Sequence, residues 1–268
     1  GFSSFPAEEA GEKLRIRPES FGDHYTQARL FWVSMTEPEQ RHIAAAFAFE
    51  LGKCDELKIR TRMLGHLENV DTELAAKVAK GLGMQGAADA ITPFVAVGDP
   101  EPSPMLSQYA KAPRSLRGKK IGLLTTDQVE ASIYNNLMKL AKDEGATLAV
   151  IAPKAGPIET DHGKSITPDH FLAGAPSVLF DAVVIAPAAE NADMLMTEAA
   201  AIDWIRNAFG HLKIIAFNEP AKAMFVKASV PIDAVAGLVE IADADFTEFA
   251  EQAKGHRIWE REPMVRSM

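Results

Sequence analysis

A chain of 268 residues with 47% hydrophobic content is long enough to bury a real core, and its length suits one large domain or, as the pattern below favours, two modest ones. The formal charge of −9 and a pI near 5.3 exclude a surface built for nucleic acid or an anionic membrane, because polyanions are repelled at long range. One cysteine, Cys54, excludes an internal disulfide framework and a multi-cysteine metal site; with no apolar run near the roughly 18 residues of a membrane span and no leader pattern, the expectation is a soluble, cytoplasmic protein.

Residues 1–20 carry Pro6, Gly11 and Pro18 among charges and show no helical or alternating pattern, which predicts an extended arm. Residues 21–83 read as a small all-α block. Tyr25, Ala28, Leu30, Phe31 and Trp32 fall near one face of a first helix, and Thr36 with Glu39 stand in capping-box spacing, with Pro38 in the first turn of a second. Ile43, Phe47 and Leu51 continue that second helix towards Gly52. A third is expected from Asp55 to about Leu67, and a fourth from Asp71, as N-cap, through Leu74, Ala75, Val78 and Leu82 to Gly83. Residues 84–118 hold Pro93, Pro100, Pro102, Pro104 and Pro113, a density that blocks regular pairing and predicts a linker.

From Lys119 to Met268 strands and helices alternate, which predicts an α/β domain: an open, doubly wound, mostly parallel sheet of about five strands. Strands are expected over "KKIGLLTTD", "ATLAVIAP", "FDAVVIAPA", "LKIIAFN" and "GLVEIA", with a hairpin in "PIETDHGKSITPDHF" turning at Asp161, His162 and Gly163. A single helix is expected over 191–210.

Each candidate site has a bland reading beside it. "GLGMQG", Gly81 to Gly86, matches the dinucleotide fingerprint, yet its glycines leave a helix instead of opening one, so they read as a C-cap and exit. Thr125 and Thr126 end the first strand where related folds hold phosphate, but no glycine-rich loop follows. Cys54 sits at a helix boundary without a visible base, and reads as an unreactive thiol. Asp161–His162 and Asp169–His170 invite a metal, although no third ligand is at hand, so a solvated hairpin is the expectation.

The sharpest statement concerns Phe217, Asn218 and Glu219. They follow a buried strand at the turn where many α/β enzymes mount Ser or Cys between small neighbours. Phe217 offers no nucleophilic atom, Asn218 and Glu219 are not small, and Glu190 at the neighbouring strand end is a base with nothing to activate. The expectation is a catalytically silent domain with at most a vestigial pocket near Glu190.

"ESFGDHYTQARLFWVSMTEPEQRHIAAAFAFELGKC" and "IRTRMLGHLENVDTELAAKVAKGLGM" resemble, in order, the helical segment that follows the haem barrel of large-subunit catalases. The proline-rich stretch and "KKIGLL" then look like the crossing into that family's flavodoxin-like C-terminal domain, related to class I glutamine amidotransferases. The resemblance implies a catalase core and neighbouring subunits of a homo-oligomer as partners. It places haem in the parent protein and no cofactor in this chain: Tyr25, Tyr109 and Tyr134 lack the upstream Arg of a proximal ligand, and His24 and His42 lie in the helical segment. The implied role is auxiliary, stabilising the oligomer and shaping peroxide access. Two other readings are kept: chaperone-like holding of non-native clients on the face around Phe31, Trp32, Phe47 and Phe49, and residual hydrolase or deglycase activity.

Overall fold

The computed structural model describes residues 1–8 and 10–266 and separates them into two units, Gly1–Ala112 and Pro113–Met268. In the first unit, four α-helices follow an N-terminal stretch that is exposed where described: α1 (Thr26–Val33), α2 (Glu37–Gly52), α3 (Leu57–Val70) and α4 (Thr72–Leu82). Asp71 caps α4 as its position predicts, its Oδ1 accepting the amides of Glu73 and Leu74 at 2.8 and 3.0 Å. Gly83, at φ +67°, ends the helix in the left-handed region, so the fingerprint-like glycines serve a C-cap. Trp32, Leu64, Leu67, Leu74 and Val78 form the core of this unit.

The proline-rich stretch divides at the unit boundary. Its first part is a strap pinned along the helices by single polar residues. Asn69 Nδ2 donates to Ile91 O at 2.9 Å, Thr26 Oγ1 accepts Gly98 N–H at 2.8 Å, and Ser34 Oγ accepts Ser103 N–H at 2.8 Å. Glu39 anchors the end, accepting from Ser107 Oγ at 2.7 Å and from the amides of Gln108 and Tyr109. Proline removes amides that a sheet would need, so these side chains supply the pairing instead. The strap passes so close to α3 that a Cβ on Gly65 would stand 2.1 Å from Asp89 O. Gly65→Ala must therefore displace backbone, and the expected outcome is a loss of about 1–2 kcal/mol in chemical denaturation.

In the second unit, β1 (Lys120–Thr125), α5 (Ala131–Glu144) and β2 (Thr147–Ala152) open the sheet. A two-stranded hairpin, β3 (Ile158–Glu159) with β4 (Ser165–Ile166), precedes β5 (His170–Phe171). β6 (Ala182–Ala186), α6 (Ala192–Thr197), α7 (Ala199–Gly210) and β7 (Ile215–Phe217) follow, then α8 (Lys222–Lys227), β8 (Leu238–Glu240), α9 (Thr247–Ala253) and α10 (Glu262–Val265). The strand order is β5-β2-β1-β6-β7-β8, all parallel, with the order reversing between β1 and β6. Its central strands are buried on both faces, as the unbroken apolar runs of "IGLL" and "AVVIA" require.

The sheet has six strands where the pattern predicts about five. His170 is the reason: it pairs with Ile151 on the sheet edge and lies outside the hairpin, a two-residue strand too short for alternation to register. The helix expected over 191–210 breaks at Glu198, whose extended backbone (φ −85°, ψ 109°) separates α6 from α7.

Lys213, fully buried before β7, donates from Nζ to the carbonyls of Ser177 and Phe180. Burial and then the Arg257 guanidinium pull its pKa down to about 8 from 10.5. The unfolded chain thus binds more protons than the folded one between pH 8 and 10.5, so this residue adds stability as pH rises through that window. Compared with a Lys213→Met variant, the unmodified chain is expected to gain about 1–2 kcal/mol from pH 8 to pH 10, read by denaturant titration at each pH.

Candidate functional site

In a parallel sheet the place for a ligand is the carboxyl edge where strand order reverses, here between β1 and β6. β1 delivers Thr125, Thr126 and Asp127 to that edge, β6 delivers Pro187 to Glu190, and β7 delivers Phe217 to Glu219.

These residues close the crevice against one another. Thr125 Oγ1 donates to Ala186 O at 2.7 Å. Thr126 Oγ1 accepts Ala188 N–H at 2.9 Å and donates to Asp127 O at 3.1 Å. Both threonines are fully buried, and their hydroxyls stitch the two central strand ends together. Asn191 Nδ2 donates to Asp127 O at 2.9 Å, tying the turn after β6 back to β1. Asp127 takes Glu159 N–H at 2.7 Å and Lys154 Nζ at 2.9 Å, and these bonds, the Glu159 amide foremost, hold its carboxyl below the usual range.

The turn after β7 shows the same commitment to structure. Phe217 is buried with its ring 4.8 Å from that of Phe225. Asn218 is buried, donates from Nδ2 to Pro187 O at 2.9 Å, and has ordinary extended torsions of φ −89° and ψ 169°. A nucleophile elbow instead stores strain in its tip residue to push a hydroxyl or thiol outward. Asn218 Oδ1 is buried and unpartnered, and Glu219 is exposed. Glu190 is exposed in the short turn Ala189–Asn191. The edge therefore collects two amides, three carboxylates and two engaged hydroxyls, and none of its side chains is a Ser or Cys.

The other candidate residues lie apart. Asp161 Oδ1 accepts Ala131 N–H at 2.8 Å at the start of α5, and Asp169 Oδ2 accepts Val150 N–H at 2.7 Å, so each acid serves backbone while His162 stands exposed at the hairpin turn. No group of three or more His, Cys, Asp or Glu able to hold a metal occurs among the described residues. Cys54 lies between α2 and α3, with its carbonyl accepting Arg60 Nε–H at 2.8 Å.

The first unit contains what the sequence reading located only by its rim. A cavity of about 530 Å³ opens between α1, α2, α3 and α4, lined by Phe31, Trp32, Ile43, Phe47, Leu67 and Leu74, with Glu50 as its one ionisable neighbour. Phe31 and Phe49 are 48% and 66% exposed, whereas Trp32 is 3% exposed and belongs to the floor. Periodicity placed these rings on helices but could not tell which face remains uncovered.

Residues 18–82 match the catalase-related immune-responsive family, and residues 117–263 match the C-terminal domain found in long catalases. The chain belongs to the long-catalase family. It is 41% identical to Catalase C of Rhizobium meliloti (strain 1021) over 99% of its length, 37% identical to Catalase HPII of Pseudomonas aeruginosa over 100%, and 32% identical to Catalase-B of Dictyostelium discoideum over 99%. It spans only 38%, 37% and 38% of those three proteins. The two matched stretches of this long-catalase chain fall one in each structural unit, the proline-rich strap lying outside both. Among the described residues no helix is long and apolar enough to cross a membrane.

Proposed function

We propose that this chain is the auxiliary C-terminal region of a long, hydrogen-peroxide-decomposing catalase, working in the cytoplasm with a catalase core and neighbouring subunits as partners. Alone it performs no peroxide chemistry; in the assembly it stabilises the oligomer and shapes substrate access. The observation that carries this reading is the closed carboxyl edge, where the Thr125 and Thr126 hydroxyls and the Asn191 and Asn218 side-chain N–H groups are spent on backbone. Haem belongs, on this reading, to the part of the parent outside the chain. The residues present do not fit a haem: the Tyr25 hydroxyl is hydrogen-bonded to His66 Nδ1 at 2.9 Å, and Tyr134 lies beneath the Lys164 ammonium at 4.7 Å. Phe21 and Glu130 stand four residues before them, where a ligating tyrosine of this family has Arg.

The test is the purified chain with haemin and peroxide. No Soret band and no oxygen evolution is the expected result, and a Soret band with rapid oxygen release overturns the proposal. A second reading, holding of non-native proteins, draws on the apolar cavity lined by Phe31, Trp32 and Phe47 and on the exposed Phe49 ring. Light scattering of a heated client decides it, since an aggregation curve unchanged by stoichiometric chain removes it. For hydrolase or deglycase activity the edge supplies no nucleophile beside Glu190.

A further inference from the structure

Four buried polar side-chain atoms lack a hydrogen-bond partner among the described residues, and three of them are tied to Lys213 at the amino end of the sheet. Ser177, whose Oγ is unpartnered, gives its carbonyl to Lys213 Nζ. Arg261, whose Nε is unpartnered, donates from Nη2 to Lys213 O at 2.7 Å. Arg257, whose Nη1 is unpartnered, acts electrostatically on Lys213, Lys119 and His256.

The charges around Arg257 are unbalanced. Lys119 stands immediately before β1 and donates from Nζ to Ala253 O at 2.8 Å. Arg114, which also acts on Lys119, donates from Nη2 to Glu251 O at 3.3 Å. Each of these cations spends a donor on a neutral carbonyl, which satisfies a hydrogen bond but cancels no charge. Asp181 is the carboxylate acting on Lys119, Lys213 and His256, and its Oδ2 is already taken by Lys120 N–H at 2.8 Å. Glu144 and Glu251 are close by but share Lys254, at 3.0 and 2.9 Å. In a chain of net charge −9, this corner carries Arg114, Lys119, Lys213, Arg257 and Lys254 against Asp181, Glu144 and Glu251, so positive charge is in excess.

A buried guanidinium N–H without an acceptor costs free energy, and a water molecule could relieve that alone. A water would leave the mutual repulsion of the cations untouched. A bound anion relieves both at once, and a guanidinium fork matches two oxygens of one oxyanion while an ammonium adds a point charge. We propose that the amino end of the parallel sheet holds a small oxyanion of the phosphate or sulfate class, seated on the Arg257 guanidinium with Lys119 and Lys213 beside it. The site lies at the opposite end of the strands from the closed carboxyl edge and is independent of the auxiliary role proposed above.

The experiment uses the 268-residue chain and inorganic phosphate, with chloride at matched ionic strength as reference. Saturable broadening of the ³¹P resonance is expected, with a melting temperature raised by about 3–5 °C at tenfold excess over the dissociation constant. Arg257→Gln is expected to weaken phosphate at least tenfold. Asp181→Asn keeps an oxygen for Lys120 N–H and removes the opposing charge, so it is expected to tighten phosphate severalfold even if the arginine variant fails to fold. A phosphomonoester that binds more tightly than inorganic phosphate identifies a phosphorylated metabolite, and equal affinity identifies the free oxyanion. Absence of saturable phosphate binding to the unmodified chain overturns the proposal, as does unchanged affinity in either variant.

Discussion

Arg261→Ala is expected to destabilise the second unit by about 3–5 kcal/mol, the scale of deleting a large buried side chain together with its charged hydrogen-bond donors. The guanidinium is 2% exposed and joins three carbonyls from separate elements: Ala236 O before β8 at 3.2 Å, Phe209 O in α7 at 3.3 Å and Lys213 O before β7 at 2.7 Å. It also stacks over the Phe209 ring at 4.4 Å. Burial lowers its pKa to about 10, far enough above neutrality that it remains a cation near pH 7. Alanine would take the donor from the Ala236 and Lys213 carbonyls, while Phe209 O keeps Leu212 N–H at 3.0 Å, and would leave a void where a large buried side chain stood. Arg261→Lys separates charge from geometry: one ammonium cannot span three acceptors, so most of the loss is expected to remain. Urea denaturation followed by tryptophan fluorescence measures both, and a loss under 1 kcal/mol for alanine would show that the network adds nothing.

The sheet was legible because parallel strands buried on both faces must be continuously apolar, and "KIGLLT", "AVVIA" and "IIAF" are. Helix ends were legible where a cap is a residue type: Asp71 and Gly83 stand where caps were expected. β5 was not, since two residues carry no period, and His170 was read with the hairpin beside it. The break at Glu198 was not either, because Ala, Leu and Met before it and the alanines after it all favour helix, and packing decides where the helix stops.

Among the site residues, what the sequence shows is chemistry that a side chain cannot have. A phenyl ring at 217 and an amide at 218 attack nothing in any conformation. What it cannot show is where hydroxyls point, so Thr125 and Thr126 remained phosphate candidates until their bonds to Ala186 and Ala188 were seen. The cationic corner was equally hidden. Arg114, Lys119, Asp181, Lys213 and Arg257 are scattered over more than half of the second unit's sequence, and only the parallel topology brings the starts of β1, β6 and β7 side by side.

Glu39→Ala is expected to cost about 3 kcal/mol and to release the strap, since charge-assisted hydrogen bonds contribute about 1.5–3 kcal/mol each and do not add. The capping-box spacing anticipated its bond to Thr36 N–H at 2.8 Å, but not that the same carboxylate also receives Thr36 Oγ1, Ser107 Oγ and the amides of Gln108 and Tyr109. Burial alone would raise its pKa; the bonds from Ser107, Thr36 and Gln108 outweigh that and bring it to about 2 from 4.5. With the folded value depressed, the stabilisation is fully present above pH 4.5 and is lost as pH falls from 4.5 towards 2. The difference between the unmodified chain and Glu39→Gln is therefore expected to be full at pH 6 and to shrink on acidification, because a protonated carboxyl and an amide offer similar acceptors. Hydrogen exchange gives the local reading: the amides of Gln108 and Tyr109 should lose protection in both variants at pH 6, while those of Glu73 and Leu74, held by Asp71, keep theirs. If strap and α4 lose protection together, Glu39 supports the whole helical unit and the strap does not open as a separate element.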